Sequence, residues 1–215
     1  NARGSGAVRA QRGSEKKQLI VRDGCLSFAE SNLQEDHLAR ILVKLNLLPQ
    51  AKLANIASLM MEGKPSDQAL REATTLSAAE IDQGAREQAL QILASLLGWE
   101  AAEIRSYGPG SIPKRELHLG IPLPELLILS ARRAVSQRTI PRSLKELGGN
   151  LAPAPEFASA LLAIPLDSGE ALAYSYVQQP VAVKDVLPSL SATGVRPDEL
   201  IQRLLLLGYL RRQDS

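Results

Sequence analysis

Along the first thirty residues, apolar and polar positions alternate in short runs separated by turn-forming pairs. Ala7-Val8-Arg9-Ala10-Gln11 leads to Arg12-Gly13-Ser14-Glu15, then to Lys17-Gln18-Leu19-Ile20-Val21. Asp23-Gly24 follows, and Cys25-Leu26-Ser27-Phe28-Ala29 completes the series. A period of two predicts β-strands, and Asp-Gly predicts a two-residue hairpin because both positions tolerate positive φ. The pattern therefore predicts a three-stranded meander whose apolar face a helix must cover.

From Ser31 the period becomes helical. Leu38, Ile41, Leu42 and Leu45 stand at i, i+3, i+4 and i+7, one face of a helix. Either Ser31 with Gln34 or Asn32 with Glu35 can form a capping box before it. Pro49 breaks this helix and suits the first turn of the next, whose stripe is Leu53, Ile56, Ala57 and Met60; Gly63-Lys64-Pro65 ends it. Ser77 with Glu80 forms another capping box, opening a longer helix through Ile81, Ala85, Ala89, Ile92 and Leu96 to Gly98-Trp99. The spacing from Leu48-Pro49 to Leu53 recurs from Leu76-Ser77 to Ile81, a modest internal repeat of helix–turn–helix units that would bury their stripes together.

Tyr107 to Ser111 reads as a loop, Leu117 to Leu119 as a short strand, and Leu123 to Val135 as a helix carrying Leu126, Leu127 and Ala131. Arg132 and Arg133 in its last turn complement the helix dipole. Ser143 to Leu147 and Gly148-Gly149-Asn150 close a first domain, with Pro153-Ala154-Pro155 as the linker. Three helical patterns remain, Ser168 to Gln179, Val183 to Leu190 and Pro197 to Leu207, before an extended Tyr209-Leu210-Arg211-Arg212. They predict a three-helix or winged-helix-like unit. The expected fold class is α+β, mostly α. Residues 1–150 form a domain with a helical-repeat insert at 31–98, and residues 151–215 a linker and a winged-helix-like unit. Leu200, Ile201, Leu204, Leu205 and Leu207 spread over more than one helix face. A unit so small is expected to leave part of that surface to dock on the first domain or on another protein.

Composition narrows the function. Apolar residues make up 45% of the 215 but aromatic ones only 3%, so the core is aliphatic and stacking platforms for single-stranded nucleic acid are scarce. With 25 basic and 23 acidic side chains the net charge is +2, which offers no strong generic attraction to DNA or anionic membranes. The single cysteine, Cys25, excludes an intrachain disulfide, and with His37 and His118 far apart in sequence a tetrahedral zinc site is not expected. No apolar run reaches the ~20 residues of a membrane helix. The chain begins at Asn1 and reads as a fragment of a longer protein, with cytoplasm the expected compartment.

Each candidate for chemistry has a plainer reading. Gly63-Lys64-Pro65-Ser66 lacks the upstream glycine and preceding strand of a phosphate-binding loop and reads as a helix terminator. Gly108-Pro109-Gly110 is a turn, and Gly4-Ser5-Gly6 is not a nucleophile elbow. His37, beside Asp36, reads as a solvated residue near a helix start, and His118 stands alone. Glu35-Asp36 and Asp198-Glu199 read as first-turn acids complementing the helix dipole, and Cys25 as a small buried hydrophobe. No catalytic, cofactor-binding or metal-ligating residue is assigned, no cofactor is expected, and the chain is read as non-enzymatic.

Leu19-Ile20-Val21-Arg22-Asp23-Gly24-Cys25-Leu26-Ser27-Phe28-Ala29-Glu30-Ser31-Asn32 resembles the signature of the PATAN family of bacterial domains, a strand, an xDG hairpin and a second strand ending in Ala and Ser. Gly4-Ser5-Gly6-Ala7-Val8-Arg9 is similar to the family's approach to its first strand. Gln88 to Leu93 through Leu97-Gly98-Trp99-Glu100 is similar to its helix and Trp-Glu turn, and Gly120 to Leu127 through Arg132-Arg133 to its closing helix. The resemblance covers residues 4–135; the family's opening helix has no counterpart here. The segment from His37-Leu38-Ala39 to Leu59 also resembles the N-terminal domain of type II secretion and pilus-assembly ATPases. Where some of those bind cyclic di-GMP through Arg-Leu-Gly, this chain has His37-Leu38-Ala39 and Lys64-Pro65-Ser66. The PATAN resemblance implies a protein-interaction adaptor in signalling or motility, with a response regulator, a small GTPase or a pilus motor component as partner. The competing expectation is a winged-helix transcription regulator. Its recognition helix would open on Arg196-Pro197-Asp198-Glu199 and continue as leucines, where a groove reader presents polar and basic groups.

Overall fold

The computed structural model describes residues 4–111, 119–154 and 165–213. The chain divides into two compact units, residues 1–92 with 101–123, and residues 93–100 with 124–215.

In the first unit the meander forms as the alternation predicts. Strands β1 (Gly6–Arg12), β2 (Glu15–Arg22) and β3 (Cys25–Ser31) pair antiparallel in chain order. Asp23 and Gly24 lie between the paired Arg22 and Cys25, with φ of 50° and 76°, the positive pair that a right-twisted two-residue hairpin demands. The sheet is wider than the sequence predicts. Strand β4 (Glu103–Tyr107) adds to β1 and β5 (Ile121–Pro122) to β3, giving the order β4-β1-β2-β3-β5. Both additions are distant in sequence and short, so no periodic signal announces them. Leu119, expected in a strand, lies outside one but donates its backbone N–H to the Ser27 carbonyl; Leu117 and His118 fall outside the described residues.

The helices of this unit are α1 (Leu38–Lys44), α2 (Leu53–Met61), α3 (Ser66–Ala73) and α4 (Ala78–Leu97, as far as Ile92). The α1 stripe is buried at Leu38, Ile41 and Leu42, and α4 buries Ile81, Ala85, Ala89 and Ile92. Gly84 lets the two approach: a Cβ there would fall 2.5 Å from Leu42 Cδ2. Ser77 and Glu80 form the expected capping box at α4, each side chain accepting the other's backbone N–H. Neither box expected before α1 forms. Instead Asn32 accepts the Lys16 N–H at 2.7 Å and donates to the Ser14 carbonyl at 2.8 Å, tying the start of β2 to the end of β3.

The second unit contains α5 (Leu123–Ser136, from Pro124 onward), α6 (Arg142–Lys145), β6 (Asn150–Pro153), α7 (Ser168–Ser175), β7 (Val181–Ala182), α8 (Val183–Val186, continued as a 3-10 turn to Leu190), α9 (Pro197–Leu206) and β8 (Leu210–Gln213). One sequence expectation is corrected here and another is met. Residues 150–153 do not end a domain or begin a linker. They form β6, the middle strand of a sheet ordered β7-β6-β8, with Leu151, Ala152 and Ala154 buried. The leucines of α9 dock, as one of the two expectations had it, on residues assigned by sequence to the first domain: Leu200, Ile201 and Leu204 are fully buried in a core with Ile128 and Ala131 of α5, Leu151, Val177 and Leu190. The unit is larger than residues 151–215, and α5 supplies the missing cover.

A buried carboxylate orders this unit. Glu170 accepts two hydrogen bonds from Arg132, at 2.8 and 2.7 Å, and one from the Asp167 N–H in a capping box at the start of α7; Arg203 lies 3.5 Å away. Arg132 therefore serves a buried acid, and not only the helix dipole as its last-turn position suggests.

Two outcomes follow. Gly24→Val forces a β-branched residue to positive φ and should cost on the order of 1 kcal/mol or more, read as a lowered Tm. A fragment of residues 151–215 lacks Ile128, Ala131 and Arg132 and should show no cooperative melt, whereas residues 93–215 should retain one.

Candidate functional site

The side chains that organise the first unit sit where β3 hands over to the helices. Residues 34–36 form one 3-10 turn, and its last member turns inward. The Asp36 carboxylate meets Lys17 Nζ of β2 at 2.7 Å, with both side chains nearly inaccessible. Its second oxygen accepts from Gln91 Nε2 at 2.7 Å, and the Asp36 carbonyl accepts from Gln88 Nε2 at 2.7 Å. Gln91 also donates to the Glu35 carbonyl. A strand, a turn and α4 thus share one polar knot. Burial alone would push the Asp36 carboxyl up, but hydrogen bonds from Lys17, Gln91 and Ser31, with the Lys17 charge, hold it below the usual carboxylate range. Asp36 is a first-turn acid of this 3-10 turn, as its position suggests, but its side chain is spent on Lys17 and Gln91. The sequence signal, a lysine inside the apolar strand segment Lys17-Gln18-Leu19-Ile20, finds its meaning only when Asp36 arrives opposite.

Above this knot the first unit carries a groove of about 540 Å³. One wall is α2, through Leu53, Ile56, Ala57 and Met60; the others include Phe28, Leu38 and Leu70. Ser31, Gln34, His37, Arg40, Lys64 and Gln88 line its polar parts. Arg40 donates to Gln34 at 3.4 Å and Lys64 pairs with Glu72. Seven of the nine residues of α2 are apolar, yet only Ile56 is buried. Met60 is 37% exposed and Met61 90%. The α2 stripe matches that of α1 in spacing but not in fate. α1 is pinned by the Asp36 knot on one side and packs at Gly84 on the other. α2 instead is held by Ile56 and its link to α3, where Lys64 N–H bonds back to the Leu59 carbonyl.

The residues weighed for chemistry lie apart. His37 lines the groove, half-buried, as the residue before α1. Cys25 is only half-buried, because it opens β3 next to the hairpin. Asp198 and Glu199 face Arg196 at the start of α9. Gly63-Lys64-Pro65-Ser66 closes α2 and opens α3. Among the described residues there is no group of three or more His, Cys, Asp or Glu side chains able to hold a metal ion, and no helix long and apolar enough to cross a membrane. What the groove offers chemically is apolar contact rimmed by hydrogen-bonding and cationic groups. Comparison with protein-family models, with curated protein sequences and with solved structures gives no match.

Removing one partner of a buried ion pair strands the other, so Asp36→Asn should cost about 3 kcal/mol at neutral pH. Because the folded-state pKa lies below the unfolded value of about 3.9, the Asp36 contribution is complete above that value and is lost as pH falls through the folded-state pKa. Urea melts taken down the acid limb should show a shallower pH dependence for Asp36→Asn than for the unmodified protein.

Proposed function

We propose that this protein is a non-catalytic adaptor of the PATAN type, acting in the cytoplasm in bacterial signalling or motility. It binds a protein partner in the α2 groove. The observation that carries the reading is the uncovered apolar face of α2. A nine-residue helix with one buried side chain contributes little to its own unit's core, and apolar surface of that kind marks interaction sites. Flexible methionines at its edge suit a surface that adapts to a partner. A response regulator, a small GTPase or a pilus motor component would present apolar side chains to Leu53, Ile56 and Met60, with Arg40 and Lys64 at the rim.

The second unit is read as winged-helix-like, with α7, α8 and α9 as its helices and β6 between β7 and β8. As a DNA reader it is poorly equipped. Leu200 through Leu204 are buried without a break, and no residue of α9 is exposed. Arg196 is paired with Asp198 and Glu199, and Arg203 with Glu170 and Glu199. A groove-reading helix needs free donors near its start.

A photoreactive residue at Ala57, introduced in the cell of origin, should give a discrete protein adduct that Leu53→Glu removes. With the purified adduct partner, Met60→Glu should weaken binding about tenfold or more, a loss of about 1.4 kcal/mol, with an unchanged Tm. Micromolar binding of duplex DNA with a steep salt slope, abolished by Arg196→Ala with Arg211→Ala, would replace the adaptor with the transcription regulator.

A further inference from the structure

Among the described residues, the sheet of the first unit ends in an edge strand free of lysine, proline and bulges. Among the described residues β4 has a strand on one side only, β1, in unbroken register from Ala7↔Tyr107 to Gln11↔Glu103. Its sequence is Glu103-Ile104-Arg105-Ser106-Tyr107, with every residue but Tyr107 exposed and Ile104 exposed to 69%. Open edges are commonly blunted by lysine, proline, a bulge or very short length. The opposite edge, β5, is two residues long, whereas β4 has five, no lysine, no proline and no register break. It carries instead two opposite charges two positions apart, on either side of an isoleucine.

We infer that β4 is the self-association edge of this protein, pairing antiparallel with β4 of a second copy about a two-fold axis through Ile104. The register follows from geometry. A two-fold perpendicular to the sheet preserves its faces, and directly opposed residues share a face. The axis must therefore pass through a residue pair in which the same position opposes itself. Centred on Glu103, two carboxylates oppose each other and Arg105 meets Ala101. Centred on Arg105, two guanidinium groups oppose each other. Centred on Ile104, the two isoleucines meet, Ala102 faces Ser106, and Glu103 faces Arg105 twice. Opposite charges and apolar pairs across strands stabilise a ladder, and like charges directly opposed destabilise it. Only the Ile104 register satisfies both demands. Within one copy Glu103 and Arg105 already interact at 3.4 Å, each about two-thirds exposed; across the axis each gains a directly opposed partner. The contact is isologous and closes at two copies, joining two five-stranded sheets into one.

Sedimentation velocity over a dilution series tests this on the full chain. The unmodified protein should show a monomer–dimer equilibrium. Ile104→Lys should raise its dissociation constant about tenfold or more, as should Glu103→Arg alone and Arg105→Glu alone. The double exchange of Glu103→Arg with Arg105→Glu should return it to within about threefold of the original. An equimolar mixture of the two single-charge variants should dimerise as a heterodimer, since one brings two cations opposite the other's two anions. All three positions changed are exposed, so thermal melts should coincide and exclude a folding effect. A protein that stays monomeric throughout, a dimer indifferent to these changes, or single losses that neither the double exchange nor the mixture restores would each overturn the inference.

Discussion

Asp36 is the residue on which the arrangement of the first unit turns. Its carboxylate and carbonyl together receive Lys17 from β2 and Gln88 and Gln91 from α4, so one short turn fixes a strand and a long helix at once. The groove takes its position from this. Leu38 and His37, on its wall, follow directly after the anchored residue. Glu170 plays the corresponding part in the second unit, gathering Arg132 and the start of α7, with Arg203 of α9 alongside. Buried charge is expensive, and each of these acids is kept by several donors and not by one.

Why a chain so rich in Leu, Ile, Val and Ala should need such devices follows from its composition. An aliphatic core is driven by area and is tolerant of small slips in register, and few aromatic rings are present to impose geometry. One edge-to-face pair, Tyr174 with Tyr209 at 5.4 Å, is found in the second unit. Directional hydrogen bonds to Asp36 and Glu170 supply the specificity that aliphatic packing lacks. Close approaches do the same: Gly84 sets the distance to Leu42, and a Cβ at Gly98 would come within 2.0 Å of the Thr139 carbonyl.

Two surfaces of the first unit remain outside this economy of packing. The α2 face is apolar and side-chain-mediated; the β4 edge is a backbone ladder with a charge pattern that matches itself. They differ in the chemistry of recognition, so a partner in the groove and a second copy on the edge make separate demands on the chain.

Local signals were legible because they act over a few residues. The Asp23-Gly24 hairpin, the Ser77–Glu80 cap, the strands β1 to β3 and the apolar stripes of α1, α4 and α9 all follow from φ preference or periodicity. Tertiary structure decided what those stripes touch. Leu38-Ile41-Leu42 and Leu53-Ile56-Ala57 have the same spacing, yet all three of the first are buried and only Ile56 of the second is, because periodicity states which face is apolar and not what covers it. The same limit concealed β6, whose Pro153 reads as the start of a linker until β7 and β8 pair on either side of the strand. It also concealed the partner of Asp36, a helix-start acid that meets Lys17, nineteen residues earlier, only in the folded chain. Each of these outcomes depends on partners remote in the chain, and a partner's identity is a property of the folded molecule.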